Sequence, residues 1–229
     1  MEFHEYPDAE MMALAVAQRL AGDLRRALAR RERVLFCVPG GTTPGPVFDT
    51  LAQLQLEWER IDVVPGDERW VPPDHPRSNA GQLRARLLRG PAAAARLIAL
   101  DGGEGAAYDG APDAVTIARL TERLVPALPI DVLLLGMGTD GHVASLFPGA
   151  PELAAALADD APPLMMITAP GQPEPRLSLT APVLRQAFVV HMLITGAEKR
   201  RVIEQAGNSD PLESPVAALL DVAQLHWSA

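Results

Sequence analysis

Lysine is almost missing from this chain of 229 residues: Lys199 is the only one, and every other strongly basic side chain is an arginine. Either composition drifted to a single lysine, or position 199 wants a compact ammonium on a flexible stem where a planar guanidinium would not fit. Its neighbours favour the second. Cysteine also occurs once, as Cys37, so no disulfide can form within the chain. No apolar run approaches the roughly 18–20 residues of a membrane crossing. The first residues, MEFHEYPDAE, are acidic and lack the basic-then-apolar order of a secretory signal. The expectation is a soluble cytoplasmic protein without a membrane partner.

Other absences narrow the chemistry. The formal charge of −9 argues against general nucleic-acid binding, although local cations and backbone N–H groups can still hold a small anion. No HxxxH or Cys/His cluster suggests a metal, and no organic cofactor is expected. No GxSxG elbow offers a serine nucleophile; Ser145 follows His142 but lacks that context. Neither a Walker loop nor GxGxxG is present, so a phosphate ester smaller than a nucleotide is favoured. There is no internal repeat and no low-complexity tail.

What is present is an alternation of helical and strand patterns. Helices are expected over 8–30, 44–56, 79–89, 112–127, about 151–158 and 196–206, with a turn or two over 214–221. Strands are expected over 33–38, 61–65, 96–100, 131–135, 163–168 and 187–195, and QLHWSA reads as a final edge strand. Residues 66–79 read as a long loop, 101–110 as a glycine-rich loop and 169–175 as a loop stiffened by three prolines. The prediction is one α/β domain over residues 1–229, doubly wound, with a mostly parallel, Rossmann-like sheet flanked by helices.

Four places can carry chemistry. The most informative is DVLLLGMGTDGHVASLFPG at 131–149, where an apolar strand ends in a glycine turn presenting Asp140, Gly141 and His142. Open α/β sheets place ligands at such carboxyl ends. A largely neutral imidazole can take a proton from water, and a carboxylate nearby can fix its tautomer. The second place is VPGGTTPGPVF at 38–48. Gly40 and Gly41 let backbone approach an anion, Thr42 and Thr43 add hydroxyls, and a helix start follows; an ordinary turn with Thr42 or Thr43 as N-cap is the plainer alternative. The third is GDERWVPPDHPRSN, which reads either as a loop projecting over a site or as a solvated loop with a local Asp67–Arg69 pair. The fourth is the pair of cations Arg176 and Lys199, which follow different strands and can converge on an anion held at the glycine turn. Of the other histidines, His191 reads as a core residue, His4 and His226 lie near the termini, and His75 is the one serious rival to His142.

PGGTTP at 39–44, GDERWVPPDHPRSN at 66–79, LLGMGTDGHVASLFPG at 134–149, PRLSLTAPVL at 175–184 and TGAEKR at 195–200 together resemble the 6-phosphogluconolactonase family over most of the chain. The resemblance implies hydrolysis of 6-phospho-D-glucono-1,5-lactone to 6-phospho-D-gluconate in the oxidative pentose phosphate pathway. It also implies a fold similar to glucosamine-6-phosphate deaminase. Gly40, Gly41, Thr42, Thr43, Arg176 and Lys199 would hold the 6-phosphate, His142 would activate water, Asp140 would support it, and Arg69 would stabilise the lactone oxygen. The partner is then a small sugar-phosphate lactone, bound by a monomer or small homo-oligomer. The deaminase pattern carries a glutamate before its Pro-Gly and Asp-Glu-Tyr in the second loop; here Phe147 precedes Pro148-Gly149, and Asp67-Glu68-Arg69 stands in the loop. An aminosugar-phosphate deaminase or isomerase, and a non-catalytic sugar-phosphate sensor, are the alternatives.

Overall fold

A computed structural model describes residues 2–103 and 106–229. The chain runs β1 (Glu2–Tyr6), α1 (Ala9–Leu28), β2 (Val34–Val38), α2 (Gly45–Leu51), β3 (Ile61–Pro65), β4 (Asp67–Arg69), α3 (Asn79–Arg86), β5 (Arg96–Leu97), α4 (Ala114–Leu124), β6 (Val132–Gly136), α5 (Leu153–Leu157), β7 (Leu164–Ile167), β8 (Arg176–Leu179), α6 (Ala181–Arg185), β9 (Val189–Thr195), α7 (Gly196–Ala206) and β10 (Ala223–Ser228). Among the described residues the larger sheet has seven strands in the order β1-β10-β9-β6-β2-β3-β5. All its pairings are parallel. From β2 the chain winds outward through β3 to β5, then returns to β6 on the other side of β2 and winds outward again. The order therefore reverses between β2 and β6, and the carboxyl ends of these strands flank the crevice where ligands bind in such sheets.

The sheet is covered on both faces, which is why β2 and β3 are buried at every position. Side-chain alternation divides β2 between two cores. Val34, Phe36 and Val38 pack with Val16, Leu20 and Leu24 of α1. Leu35 and Cys37 face a second core that includes Leu133, Leu135 and Met192. Helix α1 starts where Asp8 accepts a hydrogen bond from the Met11 N–H at 2.8 Å, and its last turn carries Arg25 and Arg26. No helix among the described residues is long and apolar enough to cross a membrane.

Several sequence expectations need correction. β10 is not an edge strand, because β1 pairs along its outer side. The acidic, half-exposed residues of β1 gave no strand signal of their own. The expected loop at 66–79 begins with β4, which leaves the main sheet and pairs with β8 in a small antiparallel sheet ordered β4-β8-β7. The helix expected over 44–56 ends at Leu51, and β5 extends only over Arg96–Leu97. Neither Thr42 nor Thr43 caps α2; Pro44 occupies the cap position without a side-chain hydrogen bond. Part of the glycine-rich loop at 101–110 lies outside the described residues.

His191 sits in the core as expected, within a polar thread. Its Nε2 lies 2.9 Å from Asp23 Oδ2, its Nδ1 lies 2.9 Å from His226 Nε2, and His226 Nδ1 lies 2.9 Å from the Tyr6 hydroxyl. The thread ties α1, β9, β10 and β1 together.

Candidate active site

The turn after β6 is built around glycine. The Gly138 N–H donates to the His142 carbonyl at 2.9 Å, and Gly141 takes φ of +81°. A Cβ on Gly138 would meet His142 Nδ1 at 2.2 Å and Asp140 Oδ1 at 2.5 Å, so only glycine leaves room for the acid and the imidazole to meet. They do meet: His142 Nδ1 lies 2.6 Å from Asp140 Oδ1, which also accepts from the His142 N–H at 3.2 Å. A carboxylate only accepts, so Nδ1 carries the hydrogen and Nε2 keeps the lone pair in the neutral ring. Burial works to raise the Asp140 pKa, but the hydrogen bond and charge of His142 outweigh it and hold the carboxyl below its ordinary value.

The turn after β2 lies beside it. A Cβ on Gly40 would meet Asn79 Oδ1 at 1.8 Å, so the close approach of the two requires glycine here. Gly41 has φ of +89°, and its N–H donates to Gln82 Oε1 at 3.1 Å. One of the turn's donors is therefore already engaged, and an anion using it must displace Gln82.

The small sheet supplies the third wall. In the β4–β8 register Arg69 stands directly opposite Arg176, and Asp67 opposite Ser178. Like charges directly opposite destabilise a strand pair unless something neutralises them. Asp67 Oδ2 lies 3.6 Å from Arg176 Nη1 and accepts from Ser145 Oγ at 2.5 Å. The expected Asp67–Arg69 pair is thus replaced by Asp67–Arg176. Arg69 instead donates through Nη1 to the Arg77 carbonyl at 2.6 Å. Burial, partly offset by Asp67 and reinforced by Arg69 and Arg77, lowers the Arg176 pKa. Among the described residues, Arg69 Nε, Arg176 Nε and Asn79 Oδ1 are buried without a hydrogen-bond partner.

These walls enclose a cleft of about 290 Å³. Gly40, Gly41, Thr42, Thr43, Arg69, His142, Arg176 and Lys199 all line it. Asp140 reaches it only through His142. Burial lowers the Lys199 pKa, opposed by Asp140 and Glu198. His75 is exposed and does not line the cleft; its Nδ1 accepts from the Arg77 N–H at 3.2 Å.

Sequence reasoning missed Asp67 and Asn79 as cleft residues and Glu68 as their support. Glu68 accepts from the N–H groups of Arg69, Asn79 and Ala80 at 2.8, 2.7 and 2.7 Å, closing the loop at its base. The available signal was the adjacency of two acids where a strand begins: alternation sends Asp67 and Glu68 to opposite faces. Among the described residues, no three His, Cys, Asp or Glu side chains converge as a metal site requires.

Comparison with known proteins supplies the family and the fold. The profile of the glucosamine-6-phosphate isomerases/6-phosphogluconolactonase family matches residues 7–227. A 6-phosphogluconolactonase of Pseudomonas aeruginosa is 40% identical over 224 residues, covering 96% of this chain and 91% of that one. A solved 6-phosphogluconolactonase of Shewanella baltica superposes with a TM-score of 0.92 at 28% identity, over 100% of this chain and 98% of the other. A solved monomeric glucosamine-6-phosphate deaminase of the NagB superfamily shares the fold, with a TM-score of 0.80 at 18% identity, over 100% of this chain and 96% of that one. Fold and cleft together define an α/β protein of the doubly wound class, with a glycine-rich turn and an acid–imidazole pair at its switch point. The chain belongs to the glucosamine-6-phosphate isomerase/6-phosphogluconolactonase family.

Proposed function

We propose that this chain, acting as one α/β unit over residues 1–229, hydrolyses 6-phospho-D-glucono-1,5-lactone to 6-phospho-D-gluconate, a step of the oxidative pentose phosphate pathway. The observation that carries this reading is one cleft holding both the Asp140–His142 pair and three cations on different elements. A phosphorylated ester needs these two features: a proton acceptor at one end and a cationic clamp at the other.

In this reading the 6-phosphate lies against Gly40, Gly41, Thr42 and Thr43, with Arg176 and Lys199 neutralising it. His142 Nε2 takes a proton from a water as its oxygen bonds to C1. Arg69 faces the oxygen that becomes negative in the tetrahedral intermediate. The bond from C1 to the ring oxygen then breaks, and His142 returns its proton to that oxygen. The product carboxyl loses its own proton to solvent. General base catalysis supplies roughly 10²–10⁴ in rate and an oxyanion donor on the order of 10²–10³. The relatives' names support the same substrate.

The decisive assay uses freshly generated lactone with its spontaneous hydrolysis subtracted. Catalysed opening supports the reading. Ammonia release from glucosamine 6-phosphate without lactone opening would make the protein a deaminase, and tight binding without turnover would make it a sensor. Phe147 standing against His142, where the deaminase pattern has glutamate, favours the lactonase over the deaminase.

A further inference from the structure

Phe147 is buried, at 6% exposure, five residues beyond His142. Its ring centroid lies 4.2 Å from that of His142, with the two planes 30° apart. The guanidinium carbon of Arg176 lies 5.3 Å from the same ring. One aromatic side chain thus touches two groups with different tasks, the proton acceptor and a phosphate cation, and the reaction as written above uses neither contact.

We propose that Phe147 is a positioning residue whose ring sets the plane of the His142 imidazole and holds Arg176 in register with it, fixing the span between proton acceptor and phosphate clamp. The proposal rests on the lactonase reading for its kinetic consequence but not for its structural one. A single hydrogen bond from Nδ1 to Asp140 anchors one corner of the imidazole and leaves the ring free to swing about that contact. A flat neighbour at stacking distance removes the remaining freedom. The face of a phenyl ring is also electron-rich, so it favours the imidazolium that forms when His142 accepts its proton, and it attracts the Arg176 guanidinium for the same reason. An aliphatic side chain would fill the volume and supply neither effect. The charged groups around this imidazole are Asp140 from its own turn, Lys199 from α7, Asp67 and Arg69 from β4, and Arg176 from β8.

Phe147 is also part of the hydrophobic core, so the alternative is plain packing. Packing alone predicts lower stability with an unchanged proton acceptor. The test compares Phe147→Leu, Phe147→Met and Phe147→Tyr in the full chain. It follows the NMR titration of His142 in the free protein, the thermal midpoint, and kcat and KM against pH with the phosphorylated lactone. Removing the ring should lower the midpoint of the His142 titration by about half a pH unit, and move the rising limb of kcat/KM by the same amount. It should also reduce kcat about tenfold through lost alignment. Phe147→Tyr keeps the flat face and should restore both. A His142 titration in the leucine and methionine variants matching the parent, with kcat within about twofold and only the thermal midpoint lowered, would overturn the proposal. If the parent fails to open the lactone, the functional reading falls, and the titration in the free protein still decides whether Phe147 positions the imidazole.

Discussion

At His142 a single contact decides which nitrogen can act. Because Asp140 Oδ1 occupies the Nδ1 side at 2.6 Å, the lone pair for chemistry is on Nε2. His142→Ala should therefore lower kcat at least ~10²-fold while leaving phosphosugar binding nearly intact. Steady-state kinetics beside a direct binding titration check this, and an unchanged kcat removes the imidazole from the reaction. Lys199→Ala should act on KM, or on KM and kcat together, for the phosphorylated lactone only. An equal loss against the non-phosphorylated lactone would contradict the phosphate role. Both residues were readable in the sequence because each stands alone in its context: one imidazole beside an acid in a glycine turn, one lysine in a chain of arginines. Asp67 and Asn79 were not readable in that way. The cleft cation beside Asp67, Arg176 at 3.6 Å, comes from β8, far along the chain from β4. No local pattern reports a contact of that span.

At the scale of elements, the short antiparallel sheet brings Arg69 and Arg176 side by side, and it was largely hidden in the sequence. β4 spans three residues and β8 four, too short for alternation to stand out against the prolines around them. The long parallel strands were legible for the opposite reason: β2, β3 and β6 are apolar runs ending at glycine or proline, and each supplies the carboxyl end on which a loop of the site is built. The loop from Arg69 to Ser78 is held at its neck by the Glu68 carboxylate, which accepts from backbone N–H groups at both ends. Glu68→Ala would leave those buried donors unpaired, at about 1–3 kcal/mol each when no water reaches them. The expected result is a markedly lower thermal midpoint together with a raised KM, since Arg69 and Asn79 both depend on that neck. A variant that melts like the parent and turns over normally would show that the loop is held elsewhere.

For the whole molecule, two buried groups set opposite slopes of stability against pH. His226 is held down to about 3 from an ordinary 6.5, first by burial and then by His191, His4 and Arg19, with Asp23 opposing. As pH falls through 6.5 the unfolded chain takes up a proton that the folded thread from Tyr6 to Asp23 refuses, so this group removes stability on the acid side. Glu68 is pushed up to about 7 from an ordinary 4.5, first by burial, against the N–H groups of Ala80, Asn79 and Arg69 and with the help of Asp67. The folded chain keeps that proton where the unfolded chain has lost it, so this group removes stability as pH rises from 4.5 towards 7. Each slope reaches at most about 1.4 kcal/mol per pH unit. Between 4.5 and 6.5 the two slopes offset one another, which predicts a plateau there, a fall below it and a smaller decline between 6.5 and 7. Denaturant midpoints measured across pH test this with two variants. Glu68→Gln should remove the decline on the neutral side and extend the acid limb up to about 6.5, because the His226 slope is then uncompensated across the former plateau. His226→Asn should remove the acid limb and extend the neutral decline down to about 4.5, because nothing then offsets Glu68 across the former plateau. A stability curve that keeps its neutral decline after Glu68→Gln would mean that the carboxylate is already ionised in the fold, its backbone donors having outweighed its burial.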